Sequence, residues 1–279
     1  MTHISARSHP LLVTVDVEDH GGPASERRFR TALEPLLSML QDGGLKATFF
    51  VVGSLASSWA DELRSLNADG HEIGLHGHTH QFITKLGQKK FAEELRQGRD
   101  ALSQILGDNV AGFRAPYFSL TRATPWAPDE IANAGFSYSS SVLPVWNPQA
   151  GYPGAPKQPF RWGNGLVEFP VPTLSAGPIG LPVMGGAYLR LVPWAVVRFA
   201  ERITRRDARW VYSHPYDFDS EEPFHQLPGQ SRIVSKLLFA RRALMIDRVR
   251  RLTGPGATLL GAYAADAEFV RRLPTYGET

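Results

Sequence analysis

The sequence contains no cysteine among its 279 residues. This absence excludes disulfides, thiolate metal ligands and cysteine nucleophiles, and it is compatible with a reducing or an oxidising compartment. The chain also lacks any run approaching the ~18 uncharged apolar residues that a membrane-spanning helix needs, and residues 1–10 lack the apolar core of a secretory signal. We therefore expect a cytoplasmic protein, unless a signal peptide has already been removed.

A large excess of charge is missing as well. The formal net charge is only +3, so nucleic acid is not an expected partner. Apolar residues make up 43% of the chain, enough for a large core, and this length suits one α/β barrel as well as two smaller domains. We expect a single catalytic domain over residues 1–279, with a core at about 10–220 and a C-terminal helical segment and last strand at about 231–273.

Short apolar runs alternate with helix-like periodicity along most of the chain. The runs predict strands at 11–15, 47–52, 72–75, 112–115, 136–139, 166–169 and 210–213. The periodicity predicts helices at 26–40, 57–67, 89–106 and 128–134, and a Pro- and Gly-rich stretch at 144–165 is typical of a long surface loop. This order indicates a parallel sheet with helices outside, whose active site gathers at the carboxyl ends of the strands.

Two histidines four residues apart follow one of these runs. His76 and His80 lie in HEIGLHGHTH, and neutral imidazoles suit Zn²⁺ and its first-row neighbours. A catalytic zinc needs a third protein ligand, and the run at 11–15 is followed by the carboxylates of Asp16, Glu18 and Asp19. The sequence therefore predicts a divalent metal, with Zn²⁺ as the first choice, at neighbouring strand ends.

Four segments together resemble a known family. They are VDVED at 15–19, HEIGLHGHTH at 71–80, GFRAPYFSLT at 112–121 and VYSHPYDFD at 211–219. Their order resembles that of the polysaccharide deacetylase family (NodB homology, carbohydrate esterase family four) over about residues 10–220. With GFSYSSS at 135–141 and LPVMGGAYLRLVPW at 181–194, the chain is most similar to the exopolysaccharide-locus branch. The resemblance implies a distorted (β/α)₇ barrel and a hydrolase that removes acetyl from an N-acetylated sugar with a divalent metal.

The resemblance also implies which residues bind the metal and which acts as the base. Asp16 matches the general base that takes a proton from the attacking water, and the two histidines match the metal-binding pair. Relatives have an aspartate ligand directly after the base, where this chain has Val17. We expect Glu18 to replace it, since positions i and i+2 of a strand share a face. Asp19 remains the alternative if the strand has already turned.

Three further residues match functional positions of the family. Arg114 is the expected partner of Asp16, because a guanidinium beside a carboxylate holds it ionised and oriented. The backbone N–H of Tyr117 would donate to the developing oxyanion, and its ring would shape the sugar site. His214 matches the general acid that protonates the departing amine.

The chain departs from the family around this acid. Relatives place an aspartate where this chain has Ser139, so the support that an aspartate would give to His214 is missing there. Asp217 and Asp219, which follow His214 closely, are the substitutes that the sequence offers.

Two amphipathic segments bear on the location of the substrate. Residues 191–206 and 231–252 combine apolar residues with several arginines. They are typical first of outer barrel helices that pack one face on the sheet, and the same composition can also lie on an anionic membrane. In the second case the protein would make peripheral contact with the inner face of the membrane, and the substrate would be a polyprenyl-linked N-acetyl sugar or oligosaccharide.

Other activities fit the same residues. A related amide hydrolase or a deformylase could use this barrel, and a non-catalytic glycan-binding homologue is a third possibility, raised by Val17 and Ser139. The groove distinguishes the hydrolases. An open cleft with exposed aromatic residues such as Trp146, Trp162 or Tyr188 would favour sugar chains, whereas a sealed pocket would favour a small amide.

Overall fold

A computed structural model describes residues 11–19, 25–176, 178–203, 208–254 and 258–277, without the side chains of 25–27. Its main sheet has nine strands in the spatial order β10-β1-β2-β3-β4-β5-β7-β6-β11, and β8 and β9 form a separate antiparallel pair. All neighbours in the main sheet are parallel except β6 and β7. The strands are β1 Leu12–Val17, β2 Ala47–Val51, β3 Glu72–Leu75, β4 Gly112–Phe113, β5 Tyr138–Ser139, β6 Phe160–Trp162, β7 Val167–Glu168, β8 Leu174–Ala176, β9 Ile179–Leu181, β10 Trp210–Ser213 and β11 Thr275–Tyr276.

Helices pack outside the main sheet and connect its parallel strands. Short 3-10 turns at Gly53–Trp59, Pro116–Phe118, Pro215–Asp217 and Arg242–Leu244 complete the described helical structure. The α-helices are α1 Ser25–Asp42, α2 Ala60–Ala68, α3 Ile83–Leu86, α4 Gln88–Leu106, α5 Ala127–Asn133, α6 Gly186–Leu191, α7 Trp194–Ile203, α8 Arg232–Phe239, α9 Met245–Leu252, α10 Leu260–Ala265 and α11 Ala267–Arg272.

Strands β1 and β2 are buried along their whole length, and their side chains alternate between two cores. On β1, Val13 and Val15 belong to the core between the sheet and the helices, whereas Leu12 belongs to a second cluster inside the curved sheet. Thr14 and Asp16 share the inner face with Leu12 because side chains on a strand alternate with a period of two. This alternation places the acidic residue of β1 inside the barrel.

The C-terminal helices cover one end of the barrel interior. Leu260 and Phe269 join the inner cluster. The backbone N–H of Gly261 donates to the buried Glu72 carboxylate at 3.1 Å, and Thr48 donates to the same carboxylate at 2.6 Å. Thr48 and Glu72 stand at the amino ends of β2 and β3, so α10 and α11 close that end. The carboxyl ends of the strands remain for the functional residues.

The α/β alternation predicted from the sequence is confirmed, and each of the seven predicted strands lies within two residues of an observed one. The stretch 144–165 was expected to be loop throughout, and this is wrong, because β6 lies inside it and pairs with β7 and β11. The predicted last strand is β11, slightly beyond the predicted limit. No described helix has the length and apolar character needed to cross a bilayer.

Both predicted long amphipathic helices are interrupted. The segment 191–206 contains the end of α6 and then α7, because Val192 precedes Pro193 and is extended, with ψ of 140°. Residues 204–206 lie outside the described part of the chain. The segment 231–252 contains α8 and α9, separated where Arg241 adopts a left-handed conformation with φ of 58°. Each amphipathic segment therefore contains more than one helix.

Candidate metal centre and active site

The carboxylate of Glu18 lies among three imidazoles at the carboxyl end of β1. Its Oε2 is 3.8 Å from Nε2 of His76 and in closer contact with Nε2 of His80, and its Oε1 is 3.6 Å from Nε2 of His214. Burial alone would raise the pKa of Glu18, but the neighbouring imidazoles of His80 and His214 outweigh burial and hold it well below its usual value. Glu18 is thus an ionised carboxylate facing ring nitrogens.

Glu18, His76 and His80 together form a candidate metal site. One ligand atom from each lies within 4.8 Å of the other two. The Nδ1 atom of His76 is 3.0 Å from the backbone oxygen of Arg114. A proton on Nδ1 would donate to this oxygen and leave Nε2 with its lone pair toward Glu18, which is how metal-binding histidines are commonly oriented.

His80 gives the clearest sign that a cation fits there. Its Nε2 atom is buried and makes no hydrogen bond to any described residue, although the Glu18 carboxylate is in contact with it. Two electron-pair donors that meet without a hydrogen bond can both be satisfied by a positive ion between them. Two imidazoles and one carboxylate are also a common ligand set of catalytic zinc. The residues present therefore fit a divalent metal.

The loop between the two histidines is held by a buried carboxylate. Glu94 on α4 accepts hydrogen bonds from the backbone N–H of His78 at 3.2 Å and of Thr79 at 2.8 Å, and from the Thr79 hydroxyl at 2.8 Å. His80 itself has a positive φ of 55°, a conformation that costs free energy for a non-glycine residue and persists only when its surroundings enforce it. The hydrogen bonds to Glu94 are part of what holds His80 in this conformation.

Asp16 and Arg114 form a buried ion pair next to this cluster. Nη1 of Arg114 donates to Asp16 at 2.6 Å, and both side chains are almost completely inaccessible to solvent. The same guanidinium donates to Thr14 and Ser140, and it lies over the ring of Phe50 with its central carbon 4.1 Å from the ring centroid. The carboxylate is therefore fixed in orientation, as the sequence interpretation of Arg114 requires.

Tyr117 lies at the rim of the cluster. Its ring is 48% exposed, stacks on Phe82 and lies 4.8 Å from the ring of His80, measured between centroids. Its backbone adopts φ of 57°, inside the 3-10 turn that follows β4. The strand exit thus turns sharply at this residue, and the exposed ring lies beside a metal-ligand candidate.

His214 lies on the opposite side of Glu18 and is held by Asp217. Oδ2 of Asp217 is 3.0 Å from Nδ1 of His214 and accepts from its backbone N–H at 2.9 Å. The imidazole also stacks on Tyr216 with centroids 4.7 Å apart. Burial alone would lower the pKa of His214, but Glu18, followed by Asp217 and Asp16, raises it to about 9. His214 can therefore carry a proton at neutral pH.

The structure separates the alternatives that the sequence left open. Asp19 is exposed and does not belong to the cluster of candidate ligands, whereas Glu18 does. Asp217 contacts His214, whereas Asp219 accepts two hydrogen bonds from Arg28, at 2.7 and 2.8 Å. Ser139 is buried and donates to Ser141 at 2.8 Å.

The three aromatic residues named as sugar-binding candidates differ in exposure. Trp146 is 62% exposed and Tyr188 is 40% exposed. Trp162 is buried, and its indole N–H donates to Glu168 at 3.4 Å. The expectation that Trp162 lines an open groove is therefore wrong, because its polar atom is occupied in the interior.

Two residues that support the site were not identified from the sequence. Glu94 shares the buried face of α4 with Phe91 and Leu95, so a charged residue on an otherwise apolar helix face was the available signal. Arg190 stands between Leu189 and Leu191 and forms a fully buried ion pair with Asp217. A single arginine within an apolar run was the corresponding signal.

Comparison with known proteins gives two adjoining family matches. The profile of the Polysaccharide deacetylase family matches residues 7–138, and that of a Domain of unknown function (DUF3473) matches residues 140–255. A peptidoglycan-N-acetylglucosamine deacetylase of Bacillus cereus is 28% identical over 101 residues, which cover 36% of this chain and 37% of that protein. A chitin deacetylase of Colletotrichum lindemuthianum is 32% identical over 123 residues, 42% of this chain and 46% of that protein.

The chain therefore covers less than half the length of these two relatives. A crystal structure of a Mycobacterium smegmatis protein described as a polysaccharide deacetylase superposes over 99% of this chain and 96% of that one. The TM-score is 0.58 and the sequence identity is 20%. This similarity concerns the fold, which agrees with the distorted barrel expected from the motifs.

Proposed function

Because the chain belongs to the polysaccharide deacetylase family, we propose that it is a metal-dependent N-deacetylase of an N-acetylated amino sugar. One observation carries the proposal. The metal-ligand candidates Glu18, His76 and His80 lie at the carboxyl ends of neighbouring strands with two groups that can exchange protons, Asp16 beside Arg114 and His214 beside Asp217. Amide hydrolysis needs both a base and an acid, since water must lose a proton and the amine must gain one.

Glu18, His76 and His80 are the residues that would hold the metal, with Zn²⁺ proposed. When bound, such an ion lowers the pKa of a coordinated water and polarises the acetyl carbonyl. The sequence raised a non-catalytic homologue as an alternative, because Val17 and Ser139 replace two aspartates of the family. Glu18 among the metal-ligand candidates and Asp217 beside His214 can replace those aspartates, and this favours a catalytic protein.

In the proposed reaction, Asp16 takes a proton from the attacking water, while Arg114 holds the carboxylate in its orientation. The backbone N–H of Tyr117 donates to the oxygen of the acetyl carbonyl as negative charge develops there. His214 donates its Nε2 proton to the sugar nitrogen as the C–N bond breaks. The products are acetate and a free amino group.

The proposed substrate is a glycan chain rather than a small amide. Tyr117 and Tyr188 are exposed. The ring of Tyr117 lies beside that of His80. Tyr188 lies on α6, two residues after Gly186, which is close to His214. Exposed aromatic rings suit the apolar faces of sugar rings. We further propose that residues 1–279 act as one catalytic domain, supported by the pairing of β11 with β6 and by the contact of Gly261 with Glu72.

We propose a lipid-linked substrate in exopolysaccharide synthesis at the cytoplasmic face of a membrane. On α7, Val196, Phe199 and Ile203 form an exposed apolar stripe at positions i, i+3 and i+7. On α8, Ile233 is 73% exposed and Leu237 is 48% exposed. These helices thus present apolar residues to solvent in addition to their buried faces, which favours membrane contact over simple packing on the barrel.

The charge around α8 suits an anionic lipid surface. The sequence has no acidic residue between Glu222 and Asp247, while Arg232 and Lys236 are exposed on α8. Flotation with vesicles containing phosphatidylglycerol should recover the protein at low salt, and Leu237→Asp with Ile233→Asp should reduce recovery. No association of the unaltered protein would contradict the membrane proposal and leave the deacetylase proposal intact.

Metal analysis combined with product analysis tests the deacetylase proposal. The purified protein, loaded with Zn²⁺ and freed of excess metal, is expected to retain about one ion per chain and to release acetate from N-acetylglucosamine oligomers or lipid-linked N-acetyl sugars. A chelator should abolish release and added Zn²⁺ should restore it. Formate release from an N-formyl sugar without acetate release would favour the deformylase alternative, and glycan binding without turnover would favour the non-catalytic one.

A further inference from the structure

Arg190 on α6 is a buried arginine that contacts Asp217, the partner of the proposed acid His214. Its side chain is fully buried, and Nη2 donates to Oδ1 of Asp217 at 2.7 Å. The same guanidinium donates to the backbone oxygens of Leu238 at 3.0 Å and Ala240 at 2.5 Å, at the end of α8. A buried arginine is costly unless its donors are satisfied, so its placement demands an explanation.

Asp217 divides its two oxygens between Arg190 and His214. Oδ1 accepts from Arg190, whereas Oδ2 is 3.0 Å from Nδ1 of His214 and accepts from the His214 backbone N–H. Because Oδ2 accepts, the proton between them belongs on Nδ1, and the Nε2 atom faces the site, 3.6 Å from Oε1 of Glu18. The orientation of His214 thus depends on that of Asp217.

We propose that Arg190 is a positioning residue for the proton donor of the reaction. By fixing Oδ1, its guanidinium turns Oδ2 toward His214, so that the Nε2 proton points at the sugar nitrogen. This inference rests on the proposed deacetylase function. Arg190 lies in the region matched by the domain of unknown function, outside the deacetylase profile, and it supports a proton donor that lacks the aspartate at 139.

A merely structural role for Arg190 makes a different prediction. Arg190 also donates hydrogen bonds to two backbone oxygens at the end of α8. If its role were only structural, its loss would destabilise the structure around the whole site. Such destabilisation would slow every reaction of the site alike. Loss of a correctly oriented acid would slow only those reactions whose leaving group needs a proton, because a sugar amine must be protonated to leave whereas a phenolate leaves without help.

The test compares an acetamide with an aryl ester. Acetate release from an N-acetylglucosamine oligomer and hydrolysis of 4-nitrophenyl acetate are measured with metal-loaded Arg190→Met, Arg190→Lys and unaltered protein, together with bound metal. Arg190→Met should lower kcat for the acetamide by about 10- to 100-fold, part of the full contribution of a general acid. KM, bound metal and the ester rate should stay within about threefold.

Arg190→Lys should lie between the other two proteins, because lysine keeps the charge without the planar fork. Arg248→Met is the matched control, since Arg248 is a buried arginine that donates to the backbone oxygens of Leu189 and Val192 on either end of the same region. It should slow both reactions to a similar, small extent.

Equal losses for acetamide and ester in Arg190→Met, or no loss for either, would overturn the inference. If Arg190→Met does not fold, Arg190→Lys decides by the same comparison. If the unaltered, metal-loaded protein releases no acetate, the proposed function fails instead, so the two failures can be told apart. Asp217→Asn should reproduce the selective loss, and combining it with Arg190→Met should add little, since both act on His214.

Discussion

The site is built in two different ways on its two sides. On the side of residues 7–138, the functional groups follow the regular strands β1, β3 and β4, and the hydrogen bonds of the parallel sheet fix their spacing. On the side of residues 140–255, His214 follows β10 but takes its orientation from side chains of a 3-10 turn and of the short helix α6. Backbone pairing brings the base and the metal-ligand candidates to one edge of the sheet, where Arg114 and Glu94 complete their orientation. His214 takes its orientation from the side chains of Asp217 and Arg190.

Substitutions should therefore act differently on the two sides. On the sheet side, removal of a functional group should leave the strands themselves in place, because their backbone hydrogen bonds hold them. On the acid side, removal of one charged partner should disturb the others, because each buried charge depends on the next.

The largest effect is expected from removal of a metal-ligand candidate. His80→Ala and Glu18→Ala should each abolish stable metal binding and acetate release together, because two remaining ligands do not hold a catalytic zinc firmly. Asp19→Ala is the matched control, since Asp19 is exposed and adjacent to Glu18. Metal per chain, measured after gel filtration, checks this. Loss of metal in Asp19→Ala with retention in Glu18→Ala would show that Asp19, rather than Glu18, binds the metal.

A smaller but still large effect is expected at the base. Asp16→Asn should retain metal and lower kcat by roughly 10²- to 10⁴-fold, because the amide keeps the shape of the side chain without its basicity. The buried Arg114 also loses its counter-charge, so the midpoint of urea unfolding should fall. Turnover close to that of the unaltered protein would contradict the assignment of Asp16.

A moderate effect is expected at the carboxylate that holds the histidine loop. Glu94→Gln should weaken metal binding by roughly 10-fold, because outer partners of metal ligands typically contribute that much. Only the amide oxygen of Gln can accept from the N–H groups of His78 and Thr79. Competition with a chromogenic chelator measures the change, and Glu93→Gln, at the exposed neighbouring position of α4, serves as control. Equal affinities in the two variants would show that the loop does not need Glu94.

The smallest expected effect is on the pH dependence of folding stability, through His71, which has no role in the proposed reaction. Burial, followed by the nearby charge of Lys46, lowers the pKa of His71 to about 4, and its Nδ1 accepts from the backbone N–H of Ala47 at 3.1 Å. The unfolded chain binds this proton below about pH 6.5, while the folded chain excludes it until about pH 4. His71 should therefore cause stability to fall as the pH drops from about 6.5 to about 4.

Substitution of His71 by Asn isolates this contribution. Asn can accept the same hydrogen bond and does not titrate, so His71→Asn should lose less stability than the unaltered protein over that pH interval. Urea unfolding at several pH values measures the difference. Parallel pH profiles of the two proteins would contradict the assignment.

On the sheet side, the sequence predicted that Asp16, Glu18, His76, His80 and Arg114 lie together at strand ends, but it did not identify Glu94. The runs before Asp16, His76 and Arg114 are strands because apolar residues follow one another there, and parallel strands bring their carboxyl ends together. The preference for Glu18 over Asp19 followed from the period-two alternation of β1, which continues one residue past its end. The local sequence pattern was sufficient to predict these positions, because regular pairing of parallel strands fixes where the residues at their ends lie.

The acid side could not be predicted in the same way. The contact between Arg190 and Asp217 joins residues far apart in the chain, on elements whose short length gives no periodic pattern. The breaks at Val192 and Arg241 interrupt two segments whose composition favours continuous helices. Tertiary contacts decide the conformation there, and a sequence without its fold does not reveal them.

X-ray absorption spectroscopy at the zinc edge of the zinc-loaded protein would identify the ligands of the proposed metal site. We predict one zinc per chain with two imidazole ligands and oxygen ligands, all at about 2.0–2.2 Å, and one imidazole fewer in any residual zinc bound by His80→Ala. A spectrum without imidazole ligands, or an unaltered protein that retains no zinc, would contradict it.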